Sequence, residues 1–231
     1  MTKKIHFTIP YSLLTLGGVR EGFFLFFLSL SFICMAQTKD GFSISKINDE
    51  VMARMQGKSF RKGCTVARED LRYLTIMHYD HKGKVKRGEM VCNKAIAKDI
   101  IEIFEALYDA SYPIEKVRLI DEYDGDDERS MQDNNSSSFN FRPVSGTKKL
   151  SRHALGMAVD INTLYNPYVY IRGGRQRVEP ANGEPWARNR KKSRNVMIMT
   201  SDDLCVRLFK QHGFRWGGDW KVRKDYQHFE K

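Results

Sequence analysis

Cysteine is scarce in this chain: four among 231 residues. One of them, Cys34, falls in a segment that the sequence marks for removal, which leaves Cys64, Cys92 and Cys205. An odd count excludes a scaffold built on disulfides. A single Cys64–Cys92 bridge and three separate buried thiols both stay open. A long apolar run is missing too. The longest, residues 23–33, is short for a membrane span, which needs about 20. It follows Lys3, Lys4 and Arg20 and runs into Cys34-Met35-Ala36-Gln37. That pattern is a secretory signal peptide cut after Ala36, so export to a periplasmic or extracellular compartment is expected. A retained anchor is the alternative. Lipid attachment at Cys34 is disfavoured by the bulky Ile33 before it. No internal repeat is visible, and acids are outnumbered, giving a formal net charge of +11.

What is present suits a globular protein. Hydrophobic residues make up 41% and aromatics 12%, enough for one domain with a sizeable core. The expected divisions are the signal at 1–36, an N-terminal helical extension at 37–62 and the main domain at 63–231. Ser45 is expected to open a short amphipathic helix with Ile47, Val51, Met52 and Met55 on one face and Gly57 at its end. Residues 71–79 and 85–91 read as a hairpin around a turn at 81–84. His78 and His81 belong to that hairpin and its turn. Asn93 is expected to cap the most regular helix, whose stripe is Ile96, Ile100, Ile103, Phe104 and Leu107. Residues 116–120 and 136–142 read as further strands. Ser201 opens a last helix with Leu204, Cys205, Leu208 and Phe209 inward, and His212 sits at its end as a helix-end cation.

Two charge runs stand out. Residues 121–133 hold seven acids against Arg129 alone, which reads as a solvated loop; the sharper alternatives are a loop at the rim of a cleft or a calcium site. Their spacing does not match an EF-hand loop. Residues 172–194 hold eight basic residues and two acids, with Gly173, Gly174, Pro180, Gly183 and Pro185, and read as a loop. Only Trp186 interrupts its second half, so the stacking aromatics of a single-strand binder are missing and no nucleic-acid partner is expected. In an exported protein the simpler partner is an anionic envelope polymer.

The chemistry is concentrated in Ser151-Arg152-His153-Ala154-Leu155-Gly156-Met157-Ala158-Val159-Asp160-Ile161-Asn162. Met157, Val159 and Ile161 alternate with Ala158, Asp160 and Asn162, as on a strand, so Asp160 projects from the polar face. A carboxylate over a small residue, with His153 just upstream, supplies two arms of a metal site. The third comes from Asp225-Tyr226-Gln227-His228-Phe229-Glu230 near the C-terminus. Two histidines and one carboxylate make a three-ligand zinc set with a fourth position free for water. Asp225, three residues before His228, is a candidate general base. The glycines around 217 and Trp220 favour a twisted strand or turn over a helix for this segment.

Ser-x-His-x-x-Gly-x-Ala-x-Asp followed late by Asp-x-x-His-Phe resembles the zinc D-Ala-D-Ala carboxypeptidases of the VanY type. Related groups are the vancomycin-resistance dipeptidases, the L-Ala-D-Glu endolysins and the metal site of hedgehog signalling domains. Further stretches agree: Phe139-Asn140-Phe141-Arg142, Asn166-Pro167-Tyr168-Val169 and Gly213-Phe214-x-Trp216-Gly217-Gly218-x-Trp220. The resemblance runs from about Gly63 to Lys231. It implies an α+β fold in which a small antiparallel sheet carries one zinc ion, flanked by helices. It also implies His153, Asp160 and His228 as ligands, Asp225 as base, and Arg142 near the oxyanion or a substrate carboxylate. Ser151 and Trp216 are expected on the substrate side. For Trp216 and Trp220, core packing and a place in the cleft wall are both open. The implied reaction is hydrolysis of peptidoglycan stem peptides by a monomer with no stable membrane span after signal cleavage. D-alanyl-D-alanine carboxypeptidase is preferred; the alternatives are an L-Ala-D-Glu type endopeptidase and a zinc-containing, non-catalytic envelope-binding domain.

Overall fold

The computed structural model describes residues 39–144, 147 and 149–231; the expected signal peptide lies outside them. The first described strand, β1 (Ser43–Lys46), takes in Ser45, where a helix start was expected. The helix α1 (Asp49–Met55) begins later, because Asn48 is the capping side chain and accepts from the Val51 N–H at 2.8 Å. The described part of the expected 37–62 extension packs on the rest of the chain, with Ile47, Val51 and Met55 against Leu71, Val91 and Phe139. β1 pairs antiparallel with β2 (Leu71–Tyr79), which pairs antiparallel with β3 (Val85–Asn93). Both hairpin strands lie where their alternation placed them.

The helix α2 (Ala97–Asp109) buries Ile100, Ile103, Phe104 and Leu107 on that sheet, and Ile96 just ahead of it. Asn93 ends β3 instead of capping α2. Its Oδ1 accepts from the Ala95 N–H at 3.0 Å, closing a local turn before the helix starts. Of the expected strand 116–120 only β4 (Lys116–Val117) pairs. The acidic run is not a bare loop: it includes α3 (Asp127–Gln132), capped by Asp126, with Asp127 and Glu128 complementing the helix N-terminus. The expected strand 136–142 shrinks to β5 (Asn135–Ser136), parallel to β4.

The site-bearing half follows. Strand β6 (Ala158–Asp160) is succeeded by a hairpin of β7 (Tyr168–Arg172) and β8 (Arg175–Glu179), so the basic run does not begin as a loop. Gly173 and Gly174, at φ +59° and +69°, form the two-residue turn that such a hairpin requires. Helix α4 (Leu204–Gln211) is capped by Asp203, whose side chain accepts from the Cys205 N–H; Ser201 lies outside it. Short strands β9 (Arg215–Trp216), β10 (Lys224–Asp225) and β11 (His228–Glu230) close the chain. Two three-stranded sheets result, β6-β11-β9 and β10-β7-β8.

Mixed helices with small, mainly antiparallel sheets fit the α+β expectation. One core cluster joins α2, α4 and the sheet of β6, β11 and β9 through residues such as Phe104, Val159, Phe209 and Phe229. The Phe209 and Phe229 rings stack with centroids 4.1 Å apart. Cys64, Cys92 and Cys205 are separate free thiols, the last two buried. Among the described residues no helix is long and apolar enough to cross a membrane.

Candidate metal centre and cleft

In the antiparallel pair of β6 and β11, His228 lies directly opposite Asp160. Directly opposed residues project from the same face of a sheet, so strand register alone brings these two together. His153 arrives from the 3₁₀ turn His153–Leu155, which ends at Gly156 with φ +66°. A Cβ at Gly156 would stand 2.7 Å from the Asn93 nitrogen, which donates to the Gly156 carbonyl at 2.9 Å. Glycine is thus needed both for the left-handed backbone and for the close approach to the end of β3. Ser151 accepts from the His153 N–H at 3.2 Å through Oγ, so its hydroxyl holds the turn while the residue also lines the cleft.

The donor atoms form a triangle. His153 Nε2 lies 3.1 Å from His228 Nδ1 and 3.1 Å from Asp160 Oδ2, and His228 Nδ1 is 3.0 Å from Asp160 Oδ1. Tetrahedral zinc, with bonds of about 2.0–2.1 Å, separates its ligand atoms by about 3.3 Å, so the donor set fits. Outer partners fix the ring tautomers. His153 Nδ1 lies 2.6 Å from the Ser138 carbonyl, to which it donates, leaving Nε2 with its lone pair inward. His228 Nε2 lies 3.4 Å from Glu230 Oε2 and leaves Nδ1 inward. Arg215 donates to Glu230 Oε1 at 2.7 Å. Such supports are the usual outer shell of a metal-binding histidine.

The electrostatics ask for a cation. Burial would raise Asp160, but His153 and His228 overcome it and hold the carboxyl well below the usual range. Burial opposes protonation of His228, yet its bonds to Asp160 and Glu230 push it up to about 10. A proton in this position marks where a metal's charge is favoured.

Asp225, on β10, lines the same cleft. Burial pushes its carboxyl up, with His228 opposing and Asp160 reinforcing, to about 6. Its Oδ1 is buried without a hydrogen-bond partner. The segment passes close over Gly217, where a Cβ would meet the Asp225 carbonyl oxygen at 2.5 Å. Asp225 and His228 therefore lie on two successive short strands, as the glycines suggested.

Arg142 also lines the cleft, ion-paired through Nε with Asp127 and bonded from Nη1 to the Pro143 carbonyl at 3.3 Å. Asp127 in turn accepts from Asn140 Nδ2 at 2.8 Å. The acidic run thus supplies the residue that holds Arg142. Trp216 lies in the core instead of the cleft, 4% exposed, with its indole N–H donating to the Tyr226 carbonyl at 2.8 Å. Trp220 takes the wall position, its ring centroid 5.5 Å from that of His228 and 4.8 Å from the Arg223 guanidinium carbon. The cleft has a volume of about 1440 Å³, room for a peptide segment.

Residues 145–231 match the model of the D-alanyl-D-alanine carboxypeptidase family. The resemblance read from the motifs is borne out over that stretch, which contains His153, Asp160, Asp225 and His228. Arg142 and its partner Asp127 lie ahead of it. No curated protein and no solved structure matches the chain.

The motifs, with Arg142 and Trp220 in the further matching stretches, were the readable signal; Glu230, Asp127 and the Ser138 carbonyl were not read. Glu230 stands two positions after His228 on a strand, so period-two alternation was enough to place it beside that ring. Asp127 and the Ser138 carbonyl carry no local signal, because distant segments bring them in. The remaining described histidines are elsewhere. His78 is buried and bonded to the Ile114 carbonyl, and His81 pairs with Glu115. His212 sits at the end of α4 beside Asp99 and Glu102, where Lys231 also pairs with Asp99 at 2.8 Å.

Proposed function

We propose that this chain is an exported zinc metallopeptidase that removes the terminal D-alanine from peptidoglycan stem peptides. The observation that carries the reading is the donor triangle of His153, Asp160 and His228 in a cleft shared with Asp225, whose Oδ1 is buried without a hydrogen-bond partner. Together with the family match it favours amide hydrolysis.

The chemistry that a zinc ion supplies in such a set is Lewis acidity, which lowers the pKa of water from about 15.7 towards about 7 and polarises a carbonyl. The chain's own residues do the rest. Asp225 takes the proton of the attacking water on its carboxylate and returns it to the nitrogen of the leaving amine. A pKa of about 6 suits both steps near neutrality. Arg142, turned by Asp127, presents its guanidinium to the oxygen that gains charge or to the terminal carboxylate. Ser151 keeps His153 in place, and Trp220 excludes water beside His228.

The test is a defined pentapeptide stem offered as the free acid and as its C-terminal amide. Release of D-alanine from the acid alone is expected. Cleavage of both at an internal bond would reassign the activity to an L-Ala-D-Glu type endopeptidase. Bound zinc with no cleavage of either would make the chain a non-catalytic binding domain.

A further inference from the structure

Beyond the cleft, one face of the sheet β10-β7-β8 has no assigned role. Tyr168 pairs directly with Asp225 on one side and Glu179 on the other, Tyr170 pairs with Arg177, and Arg172 pairs with Arg175. Direct partners and alternate residues share a face. A single surface therefore runs from the catalytic carboxylate, over two tyrosines, to three arginines at the hairpin tip. The tyrosine rings stack at 4.7 Å, and the Tyr170 hydroxyl donates to Glu179 at 2.7 Å, which fixes the pair as a platform. Tyr168 and Glu179 already line the cleft.

The tip is built against its own stability. Arg172 and Arg175 stand opposite each other, and like charges in that relation repel. Among the described residues none of the three arginines has an acidic partner, and all are exposed. From Tyr168 to Arg172 the strand advances about 13 Å, so the arginines stand well away from the catalytic carboxylate.

We propose that this face is an accessory track for the carboxylate-bearing polymer to which the cleaved peptide is attached, the arginines pairing with its carboxylates and the tyrosines meeting its flat groups. The inference rests on the peptidase reading and deepens it: the preferred substrate is polymeric. Charge complementarity sets the partner's sign, and continuity with the cleft sets its nature. An anionic membrane is the less favoured partner, because the hairpin's large exposed apolar side chain, Ile171 at 64% exposure, projects from the opposite face.

The experiment compares the wild-type chain with the triple variant Arg172→Gln, Arg175→Gln, Arg177→Gln. Neutral residues relieve the repulsion at the tip, so the variant folds, as circular dichroism would show. Sedimentation with insoluble peptidoglycan is expected to weaken about tenfold, as the loss of three exposed ion pairs implies. Wild-type binding should itself weaken as salt rises. D-Alanine release from a short stem peptide is followed in parallel. Its absence in the wild type would refute the carboxypeptidase reading, whereas the sedimentation result stands by itself. Equal sedimentation of both proteins overturns the track. So does wild-type binding to vesicles of anionic phospholipid that matches its binding to peptidoglycan.

Discussion

In the proposed mechanism turnover depends on Asp225, and two expectations follow from its surroundings. Asp225→Asn keeps the metal ligands and loses on the order of 10²–10⁴ in kcat, the usual weight of a positioned base. Burial raises the wild-type carboxyl to about 6, and the base must be ionised to act. Activity should therefore be full above this value and fall as pH drops below it. A kcat profile flat from pH 5 to 7, with roughly 1 pH unit on either side of that value, would remove Asp225 from the proton transfer. Asp127 acts at one remove. Asp127→Ala leaves Arg142 without the carboxylate that orients it, so kcat should fall by about tenfold, less than the 10²–10³ for deleting an oxyanion donor outright. A rise in KM alone would make Arg142 a clamp on bound substrate.

At the scale of elements, the site is a matter of register. A one-residue slip between β6 and β11 would turn Asp160 or His228 into the core. The alternation of Met157 to Ile161 was readable from side-chain type, although burial does not alternate with it: Ala158 and Asn162 are as buried as Val159 and Ile161. Other elements were less readable. Ser45 and Ser201 looked like caps, yet Asn48 and Asp203 hold the helix ends; several capping residues near one terminus compete, and tertiary packing chooses. Gly173-Gly174 is a strong hairpin turn, but the arginines around it masked strands that pack on one face only. Nothing local separates Trp216 from Trp220; pairing of Trp216 with Phe229 in β11 buries the first and leaves the second at the cleft. Gly156→Ala tests the junction of β3 with the His153 turn. The left-handed backbone alone costs about 1–2 kcal/mol in a non-glycine residue, and the contact with Asn93 adds to it. Denaturant unfolding should show at least that loss; an unchanged midpoint would mean that the turn relaxes freely.

For the molecule as a whole, the proposed metal and the fold would be linked through one proton. In the metal-free chain His228 stays protonated up to about 10, against an ordinary value of 6.5. A raised pKa of this kind stabilises the fold fully below about 6.5, and that contribution is lost as pH rises through about 10. A zinc ion held there would use the same Nδ1 lone pair and would have to displace the proton. The stabilisation that zinc confers should therefore grow with pH across this window. With free zinc about 100-fold above its Kd, the loaded chain gains about 2.7 kcal/mol. A chelator should lower Tm more at pH 9 than at pH 6.5, both being near the ends of the window of roughly 6.5 to 10 set by His228. His228→Ala should remove both the zinc effect and its pH dependence, because two remaining ligands hold zinc poorly. An equal chelator effect at both pH values would separate His228 from the metal. Full zinc content in His228→Ala would dismantle the donor triangle itself.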